Sequence, residues 1–308
     1  MKIAVTGSRG LIGSALVDRL QADGHEVVRV VRGAPAAGEV EWDPAGGRLD
    51  GASLDGVEGV VNLAGAGIGD QRWSDSRKRL VVESRVRSTG LLARTLAALD
   101  RPPSVLLSGS AVGYYGDRGD ELLTERSGPG TGFLSDLCQA WESATDPAAE
   151  AGIRVALLRT GIVLAPHGGA LGKQVPLFRL GVGGRLGSGR QYMSWIALDD
   201  EVAAIEFCLR TVGVRGPVNL TAPQPVTNAD FSAALGRALH RPAVLPVPAS
   251  GLRLVMGAEM TREMLLAGQR AIPEALTVAG HRFAHPEVGD ALRSVVGRPP
   301  GFGPTGAG

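Results

Sequence analysis

Hydrophobic positions follow two different periods along this chain, and the periods alternate from one segment to the next. Short apolar runs predict seven strands, at residues 3–5, 26–31, 40–42, 59–63, 105–107, 155–158 and 216–220. Between them, apolar residues recur every three or four positions, which predicts helices after residue 11 and at residues 74–99, 133–151 and 199–209. Strands that alternate with helices are typical of βαβ units, so the pattern predicts an α/β fold with a parallel sheet.

The first strand runs directly into a glycine-rich turn, and residues 2–13 read KIAVTGSRGLIG. Gly7 allows the sharp turn, Gly10 lets backbone N–H groups approach a pyrophosphate, and Gly13 lets the helix pack closely on the strand. The N-terminus of the helix that follows adds a partial positive charge at the same place. We therefore predict a dinucleotide cradle formed by Gly7, Ser8, Arg9, Gly10, Leu11, Ile12 and Gly13.

Two arginines stand where such a cradle distinguishes NADP from NAD. Arg32 directly follows the second strand, which ends at Val31, where the adenosine ribose of a dinucleotide would lie. An acidic residue at this position favours NAD, whereas an arginine accommodates the 2′-phosphate of NADP. Arg9, inside the glycine turn, is a second candidate, because a guanidinium binds phosphate through two parallel hydrogen bonds. These charges favour NADP(H) as the cofactor, and two solvated arginines are the alternative interpretation.

Two further strands end in small or hydroxyl-bearing residues. In an open parallel sheet the carboxyl ends of the strands face the ligand crevice, where bulky side chains would block a cofactor ring. Leu63, Ala64 and Gly65 are therefore assigned to the cofactor, and Ser110, Tyr114 and Tyr115 to catalysis. Arg85 falls close to the buried stripe of the helix at 74–99, so we expect it to point towards the cofactor.

The character of the chain changes at Pro166, where glycine-rich segments begin. We assign residues 1–165 and 196–221 to the dinucleotide-binding domain, residues 166–195 and 222–298 to a small substrate lobe, and residues 299–308 to a flexible tail. Further helices are expected at about 250–266 and 286–296. Lys173, Gln191 and Trp195 are the candidates for contact with a small-molecule substrate, and structural packing is the alternative role for each.

Composition narrows the classes of function. The net charge is +1, and 29 of the 32 basic residues are arginines spread along the chain, so neither a nucleic acid nor a membrane surface is an expected partner. No apolar run approaches the roughly 18 residues that span a bilayer, and no signal peptide is recognised. Cys138 and Cys208 both lie in helical patterns, which predicts no disulfide and no metal site, and a cytoplasmic location.

Several motifs together resemble an atypical branch of the extended short-chain dehydrogenase/reductases, the YfcH-like sugar-nucleotide epimerases of the NAD-dependent epimerase/dehydratase family. The motifs are VTGSRGLIG at 5–13, EWDP at 41–44, NLAG at 62–65, ESR at 83–85, SGSAVGYYG at 108–116 and LRTGIVL at 158–164, and segments 187–196, 219–231 and 271–283 continue them. The resemblance implies a doubly wound Rossmann domain with a small C-terminal lobe, and NADP(H) as the cofactor. It assigns cofactor contacts to the glycine turn, Val31, Arg32, Leu63, Ala64, Arg85 and Ile162, and it allows a homodimer.

The chain departs from this superfamily at the catalytic pair. The superfamily uses a Tyr-x-x-x-Lys pair, in which the lysine lowers the pKa of the tyrosine and the tyrosine transfers a proton. If Glu142 aligns with the acidic residue that follows the pair, the two positions hold Leu134 and Cys138. Neither side chain can act as the pair requires, and no tyrosine or lysine occurs between Gly116 and Gly172.

Three explanations of this departure stay open. Ser110 with Tyr114 or Tyr115 takes over proton transfer, although an unassisted tyrosine with a pKa near 10 is a slow base at neutral pH. Alternatively, Lys173 reaches the site from the lobe. In the third case the protein binds NADPH without turnover, as a sensor or scaffold. The expected activity is accordingly that of an epimerase or oxidoreductase on a small, nucleotide-linked substrate, with the sensor as its alternative. A reactive thiol at Cys138 is the weakest chemical option.

Overall fold

The computed structural model describes residues 1–297 and contains one large sheet of eight strands in the order β12-β8-β6-β5-β1-β2-β3-β4. These strands are β1 Lys2–Thr6, β2 Glu26–Val31, β3 Glu39–Asp43, β4 Arg48–Leu49, β5 Gly59–Asn62, β6 Val105–Ala111, β8 Arg154–Thr160 and β12 Gly216–Leu220. All neighbours are parallel except β3 and β4. After β4 the chain returns to β5 on the other side of β1, which creates the switch point where doubly wound sheets bind ligands.

Helices cover both faces of this sheet and form the lobe. They are α1 Leu11–Ala22, α2 Asp75–Ala97, α3 Phe133–Ser143, α4 Asp146–Glu150, α5 Gly169–Arg179, α6 Leu198–Arg210, α7 Asn228–Ala238, α8 Ala249–Met256, α9 Ala258–Thr261, α10 Glu274–Val278 and α11 Val288–Gly297. Short strands complete the chain, namely β7 Leu122–Leu123, β9 Ile162–Leu164, β10 Tyr192–Met193, β11 Trp195–Ala197, β13 Val226–Thr227 and β14 Arg270–Ala271. Among residues 1–297, no helix is long and apolar enough to cross a membrane.

The predicted strands agree with the structure to within a few residues, but two predicted helices are interrupted. The segment at 133–151 divides into α3 and α4, because Pro147 stands in the first turn of α4, where its missing N–H is tolerated. The segment at 250–266 divides at Gly257, which has a φ of +90°, and ends in a π-helical turn at Arg262–Leu266. Thr227 caps α7, since its Oγ1 accepts the N–H of Asp230 at 3.2 Å.

The lobe packs against the carboxyl edge of the sheet. Strand β11 pairs with β9, which follows β8 directly, and this pairing carries the chain from the lobe back to α6. The core on one face of the sheet includes Leu276 of the lobe, with Val218 and Leu158 of the sheet strands. The lobe is thus joined to the sheet through β9 and through the core on one of its faces. The predicted tail at 299–308 lies outside the described residues.

Candidate functional site

The glycine turn after β1 has the shape of a phosphate cradle. The φ of Gly7 is +66°, and a Cβ there would lie 2.6 Å from the carbonyl oxygen of Leu63. A Cβ on Gly13 would lie 2.2 Å from the carbonyl oxygen of Gly7, so α1 approaches the turn more closely than any side chain allows. Both contacts are with backbone atoms that cannot move aside. The turn therefore keeps its backbone open to a ligand at the N-terminus of α1.

The burial and the hydrogen bonding of Ser8 indicate whether this turn suits a dinucleotide. Its side chain is 2% exposed, and its Oγ has no hydrogen-bond partner within the described part of the chain. A buried hydroxyl without a partner is costly, whereas the oxygen of a pyrophosphate would accept its hydrogen. The residues of the turn thus fit a phosphate ligand.

A cleft of about 710 Å³ extends from this turn along the carboxyl ends of β2 and β5. Its volume is in the range of sites that hold cofactors. The predicted cofactor residues that line it are Gly7, Ser8, Arg9, Gly10, Val31, Arg32, Leu63, Ala64 and Gly65. Sequence reasoning missed the opposite wall, where α2 contributes Leu80, Glu83, Ser84, Arg87 and Ser88, and the floor at Trp42 to Ala45.

Positive charge collects at the far end of the cleft. Arg32 is exposed there, directly after β2. Arg9 is 62% exposed and forms an ion pair with Glu39, at 2.9 Å between Nη2 and Oε2. A phosphate at this place would contact Arg32 directly, and it would meet Arg9 together with its carboxylate partner. The structure therefore makes Arg32 the freer of the two predicted contacts.

Arg85 lies beneath the turn that follows β5. Its Nη1 donates to the carbonyl oxygen of Ala66 at 2.9 Å, and its guanidinium stacks on Trp141 with 5.0 Å from Cζ to the ring centroid. Burial lowers the pKa of Arg85 to about 10, so the side chain stays charged at neutral pH. Arg85 therefore points inward at the turn that follows β5, and its contact with the cofactor stays a prediction. Ile162, by contrast, lies on β9 opposite Trp195 and packs against the lobe core.

Helix α3 presents apolar side chains where the superfamily has its catalytic pair. Leu134 and Cys138 both face the turn at Gly113, with 3.2 Å from the Cβ of Leu134 and 3.9 Å from the Sγ of Cys138 to an ideal Cβ on that glycine. Burial raises the pKa of the Cys138 thiol to about 11, an effect that Glu142 reinforces and that Arg85 opposes. The thiol is therefore protonated at neutral pH and is a poor nucleophile.

One turn further along α3, Glu142 takes part in a buried hydrogen-bond network. Its Oε1 accepts the hydroxyl hydrogen of Ser110 at 2.6 Å. Arg159, at the end of β8, donates to both carboxylate oxygens, from Nε at 2.8 Å and from Nη2 at 2.9 Å. Ser110 and Arg159 are 4% and 2% exposed. A bidentate pair of this kind fixes the carboxylate in the plane of the guanidinium.

The same arginine contacts both tyrosines, and the two contacts differ. Tyr115 is fully buried, its hydroxyl donates to Oδ1 of Asn219 at 2.7 Å, and it accepts from Nη1 of Arg159 at 3.1 Å. Burial raises the pKa of Tyr115, against the opposing effect of Arg159. This geometry corrects the assignment of Tyr115 to catalysis, because its hydroxyl already donates to Asn219 and already accepts from Arg159. Tyr114 is half-buried, and its ring covers the Arg159 guanidinium at 3.4 Å.

The three lobe candidates contact different parts of the chain. Gln191 donates to the carbonyl oxygens of Leu186 and Leu265, so its amide serves the lobe backbone. Trp195 is fully buried, and its Nε1 donates to the carbonyl oxygen of Gln224. Both geometries favour the packing alternative over substrate contact and correct these assignments. Lys173 reaches across from α5 and donates to the carbonyl oxygen of Gly69 at 2.8 Å.

Sequence reasoning did not find the network as a whole. Glu142 entered only as an alignment point, and Arg159 and Asn219 appeared in motifs without a role. Their place in the motifs was the signal available in the sequence. Arg159 in particular lies at the end of a buried strand, where a charged side chain needs a partner. The register that joins Ser110 of β6 to Arg159 of β8 is visible only in the folded sheet.

A doubly wound sheet with a dinucleotide cradle at its switch point and a C-terminal lobe defines the extended short-chain dehydrogenase/reductases. The family model for the NAD dependent epimerase/dehydratase family matches residues 3–220, and a model described as "Domain of unknown function (DUF1731)" matches residues 247–295. The chain belongs to the NAD dependent epimerase/dehydratase family, as an atypical member without the Tyr-x-x-x-Lys pair. The predicted family, fold class and nicotinamide dinucleotide cofactor are thereby confirmed.

Relatives extend over the whole chain. "Epimerase family protein Mb2239" of Mycobacterium bovis is 49% identical over 298 residues, which are 96% of this chain and 98% of that protein. The crystal structure of human epimerase family protein SDR39U1 (isoform2) with NADPH has a TM-score of 0.89 and 34% identity, over 96% of this chain and 99% of that one. A nucleoside-diphosphate sugar epimerase from Corynebacterium glutamicum has a TM-score of 0.80 and 39% identity, over 96% of this chain and 58% of that one.

Proposed function

We propose that this protein binds NADP(H) and interconverts an alcohol and a carbonyl group on a small, nucleotide-linked substrate, as an epimerase or oxidoreductase. The observation that carries the proposal is the glycine turn, with the unpartnered Ser8 hydroxyl and the exposed Arg32 at the two ends of one cleft. The human relative whose structure contains NADPH supports the choice of cofactor.

The residues of the chain divide the work of holding such a cofactor. Backbone N–H groups of the glycine turn and the Ser8 hydroxyl would receive the pyrophosphate, and Arg32 would receive the 2′-phosphate. When bound, the nicotinamide supplies hydride exchange. Arg85 supports the proposal for the nicotinamide end of the cofactor, since it brings a positive charge beside the position where Cys138 replaces the family lysine.

At the substrate end, the proposal assigns Ser110 to the substrate oxygen and Tyr114 to the wall beside it. Ser110 is the last residue but one of β6, and Tyr114 lies in the turn that directly follows this strand. Tyr115 is left out of the catalytic set because its hydroxyl is enclosed by Arg159 and Asn219. A location in the cytoplasm and a homodimer stay predictions.

The test is turnover with a panel of carbonyl compounds and nucleotide sugars, UDP-glucose among them, in the presence of NADPH or NADP⁺. We expect isomerisation or cofactor oxidation with at least one compound, and we expect it to be lost in Ser110→Ala. Tight NADPH binding without change to any compound would refute the enzyme proposal for that panel.

A non-catalytic NADPH sensor or scaffold is the second candidate. Leu134 and Cys138 favour it, because neither side chain moves a proton at neutral pH. In this case Tyr114→Phe and Ser110→Ala would leave every measurable property of the NADPH complex unchanged. Turnover that either variant abolishes would exclude the sensor.

A further inference from the structure

Ser110, Glu142 and Arg159 form a buried chain that runs away from the proposed substrate position. The Ser110 hydroxyl donates its only hydrogen to the carboxylate of Glu142, at 2.6 Å from Oγ to Oε1. Its remaining lone pairs can therefore accept a hydrogen bond but the group cannot also donate one. A substrate alcohol at Ser110 would be the donor, with its proton directed at Oγ.

From this geometry we infer that Ser110 and Glu142 form a two-step proton relay that replaces the missing tyrosine and lysine. The inference rests on the proposed function. A bound nicotinamide would take up the hydride of the substrate carbon, and the residues of the chain would move the proton: the alcohol proton would pass to Oγ of Ser110 and the Ser110 proton to Oε1 of Glu142. The products are a carbonyl group, reduced cofactor and a neutral carboxyl group, so atoms, electrons and charge balance.

Arg159 is the positioning residue of this relay. It holds both oxygens of Glu142 and therefore sets the angle at which Oε1 meets Ser110. Tyr114 covers the guanidinium, and the Tyr115 hydroxyl occupies Nη1, so the arginine has no freedom to turn away. The titratable and charged groups that face Glu142 are Arg159 of β8 and Cys138 of its own helix; beyond them, Arg85 of α2 lies beside Cys138 and Tyr115 lies beside Arg159.

The burial of Glu142 suits a reaction in which the proton taken from the substrate is later returned to it. The side chains of Glu142 and Arg159 are only 10% and 3% exposed, so a proton on Glu142 exchanges slowly with water. Epimerisation oxidises the carbon and then reduces it from the other side, and the proton goes back through Ser110 to the oxygen. A dehydrogenase, in contrast, has to release its proton to solvent after each turnover. The relay therefore favours the epimerase form of the proposed activity.

The experiment compares Ser110→Ala, Glu142→Gln and the double variant with the wild type on whichever panel compound the wild type converts. We expect each single change to lower kcat at least about 100-fold, the usual weight of a proton-transfer group. The double variant should be no slower than the slower single variant, because both changes break one relay. Glu142→Asp should recover part of the rate. Ser108→Ala is the matched control on the same buried strand and should stay within about twofold.

Two readouts do not depend on turnover. NADPH affinity should change less than about threefold in Ser110→Ala, which keeps the Glu142–Arg159 pair and serves as the folded variant if Glu142→Gln does not fold. In proton NMR, the Ser110 hydroxyl in its short bond to a carboxylate should give a slowly exchanging downfield resonance that Ser110→Ala removes.

The outcomes separate the two proposals. A wild type that binds NADPH but converts nothing overturns the proposed activity, and the relay with it. A wild type that turns over while Ser110→Ala or Glu142→Gln keeps its kcat within a few-fold overturns the relay alone. Additive losses in the double variant also overturn it, since independent effects would then explain both residues.

Discussion

At the scale of single residues, the molecule buries an ion pair one helical turn beyond the positions where the superfamily has its catalytic side chains. Glu142 and Arg159 are buried together, and Arg159 also binds the Tyr115 hydroxyl. Removing one partner of such a pair leaves an uncompensated buried charge, which costs more than the pair itself contributes.

Arg159→Met is therefore expected to lower the free energy of unfolding by about 3–5 kcal/mol, the range for a broken buried pair. Urea denaturation of the purified protein measures this change. Arg101→Ala is the control, because Arg101 and Asp55 form a pair that is largely exposed and worth at most about 1 kcal/mol. Equal losses in the two variants would contradict the burial argument.

Glu201 makes a second residue-scale prediction. It lies in α6 and is fully buried, and burial raises its pKa to about 8, against the hydrogen bond from Thr160. The unfolded chain releases this proton near its ordinary pKa of 4.5, whereas the folded chain keeps it up to about 8. The free energy of unfolding should therefore fall as the pH rises from about 5 to 8, by at most about 1.4 kcal/mol per pH unit.

Glu201→Gln should remove this part of the pH dependence and make the variant more stable than the wild type at pH 8. Thermal denaturation between pH 5 and 8 gives the comparison. The exposed Glu150→Gln on α4 should follow the wild type throughout. A difference between Glu201→Gln and the wild type that is the same at pH 5 and pH 8 would show that Glu201 does not titrate in this range.

Predictions for single residues agree with the lining of the cleft where one segment of the sequence carries the signal. The cleft does contain Gly7 and Arg32, because the turn and the strand end that position them are local features. Tyr115, Gln191 and Trp195 were misassigned, because burial decides their roles and burial depends on elements far away in the chain. Asn219, for example, meets Tyr115 from a strand about a hundred residues later.

At the scale of elements, the glycine turn and α1 act as one unit. Gly13→Ala would place a methyl group against the carbonyl oxygen of Gly7, and either the helix or the turn has to move. We expect NADPH affinity to fall at least about tenfold, which corresponds to about 1.4 kcal/mol. Titration of the NADPH fluorescence measures the loss.

Gly213→Ala is the control for that experiment, because nothing lies within 4 Å of a Cβ at this loop position. It should bind NADPH as the wild type does. Normal affinity in Gly13→Ala would mean that the turn tolerates the methyl group and that the cradle is assigned to the wrong residues.

The sheet elements were predictable to within a few residues because buried parallel strands are short and apolar along their whole length. The division of the segment at 133–151 was also marked, by Pro147. The segment at 250–266 was not, since its apolar pattern is continuous and only the positive φ of Gly257 breaks it. Helix α8 has no buried residue, so its pattern indicated a helix without indicating what the helix packs on.

At the scale of the whole molecule, hydrogen bonds between buried polar groups join the lobe to the dinucleotide-binding domain. Asn219 of β12 donates to the carbonyl oxygen of Ile272 at 2.9 Å, and Thr221, directly after β12, donates to that of Ala271 at 3.4 Å. Asp200 of α6 accepts the N–H groups of Ala284 and His285. The segment that follows the family domain is thus part of the same folded unit.

A chain truncated after residue 246 should consequently fail to give a folded dinucleotide-binding domain. It loses Leu276 from the core beside the sheet, and it removes the backbone groups that pair with the Asn219 amide nitrogen and the Asp200 carboxylate. The whole chain should unfold in a single thermal transition, and NADPH should raise its midpoint. A truncated protein that stays monodisperse and binds NADPH would contradict this account of the lobe.

The central claim is that this fold holds NADP(H) in the cleft between the glycine turn and Arg32. Its most direct test is the ratio of the dissociation constants for NADPH and NADH, measured by calorimetry on the wild type and on Arg32→Ala. The account predicts that the wild type binds NADPH at least about tenfold more tightly, a difference of about 1.4 kcal/mol. Arg32→Ala should lose most of that preference while its NADH affinity changes little. Equal affinity of the wild type for both cofactors, or equal loss of both in the variant, would contradict the account.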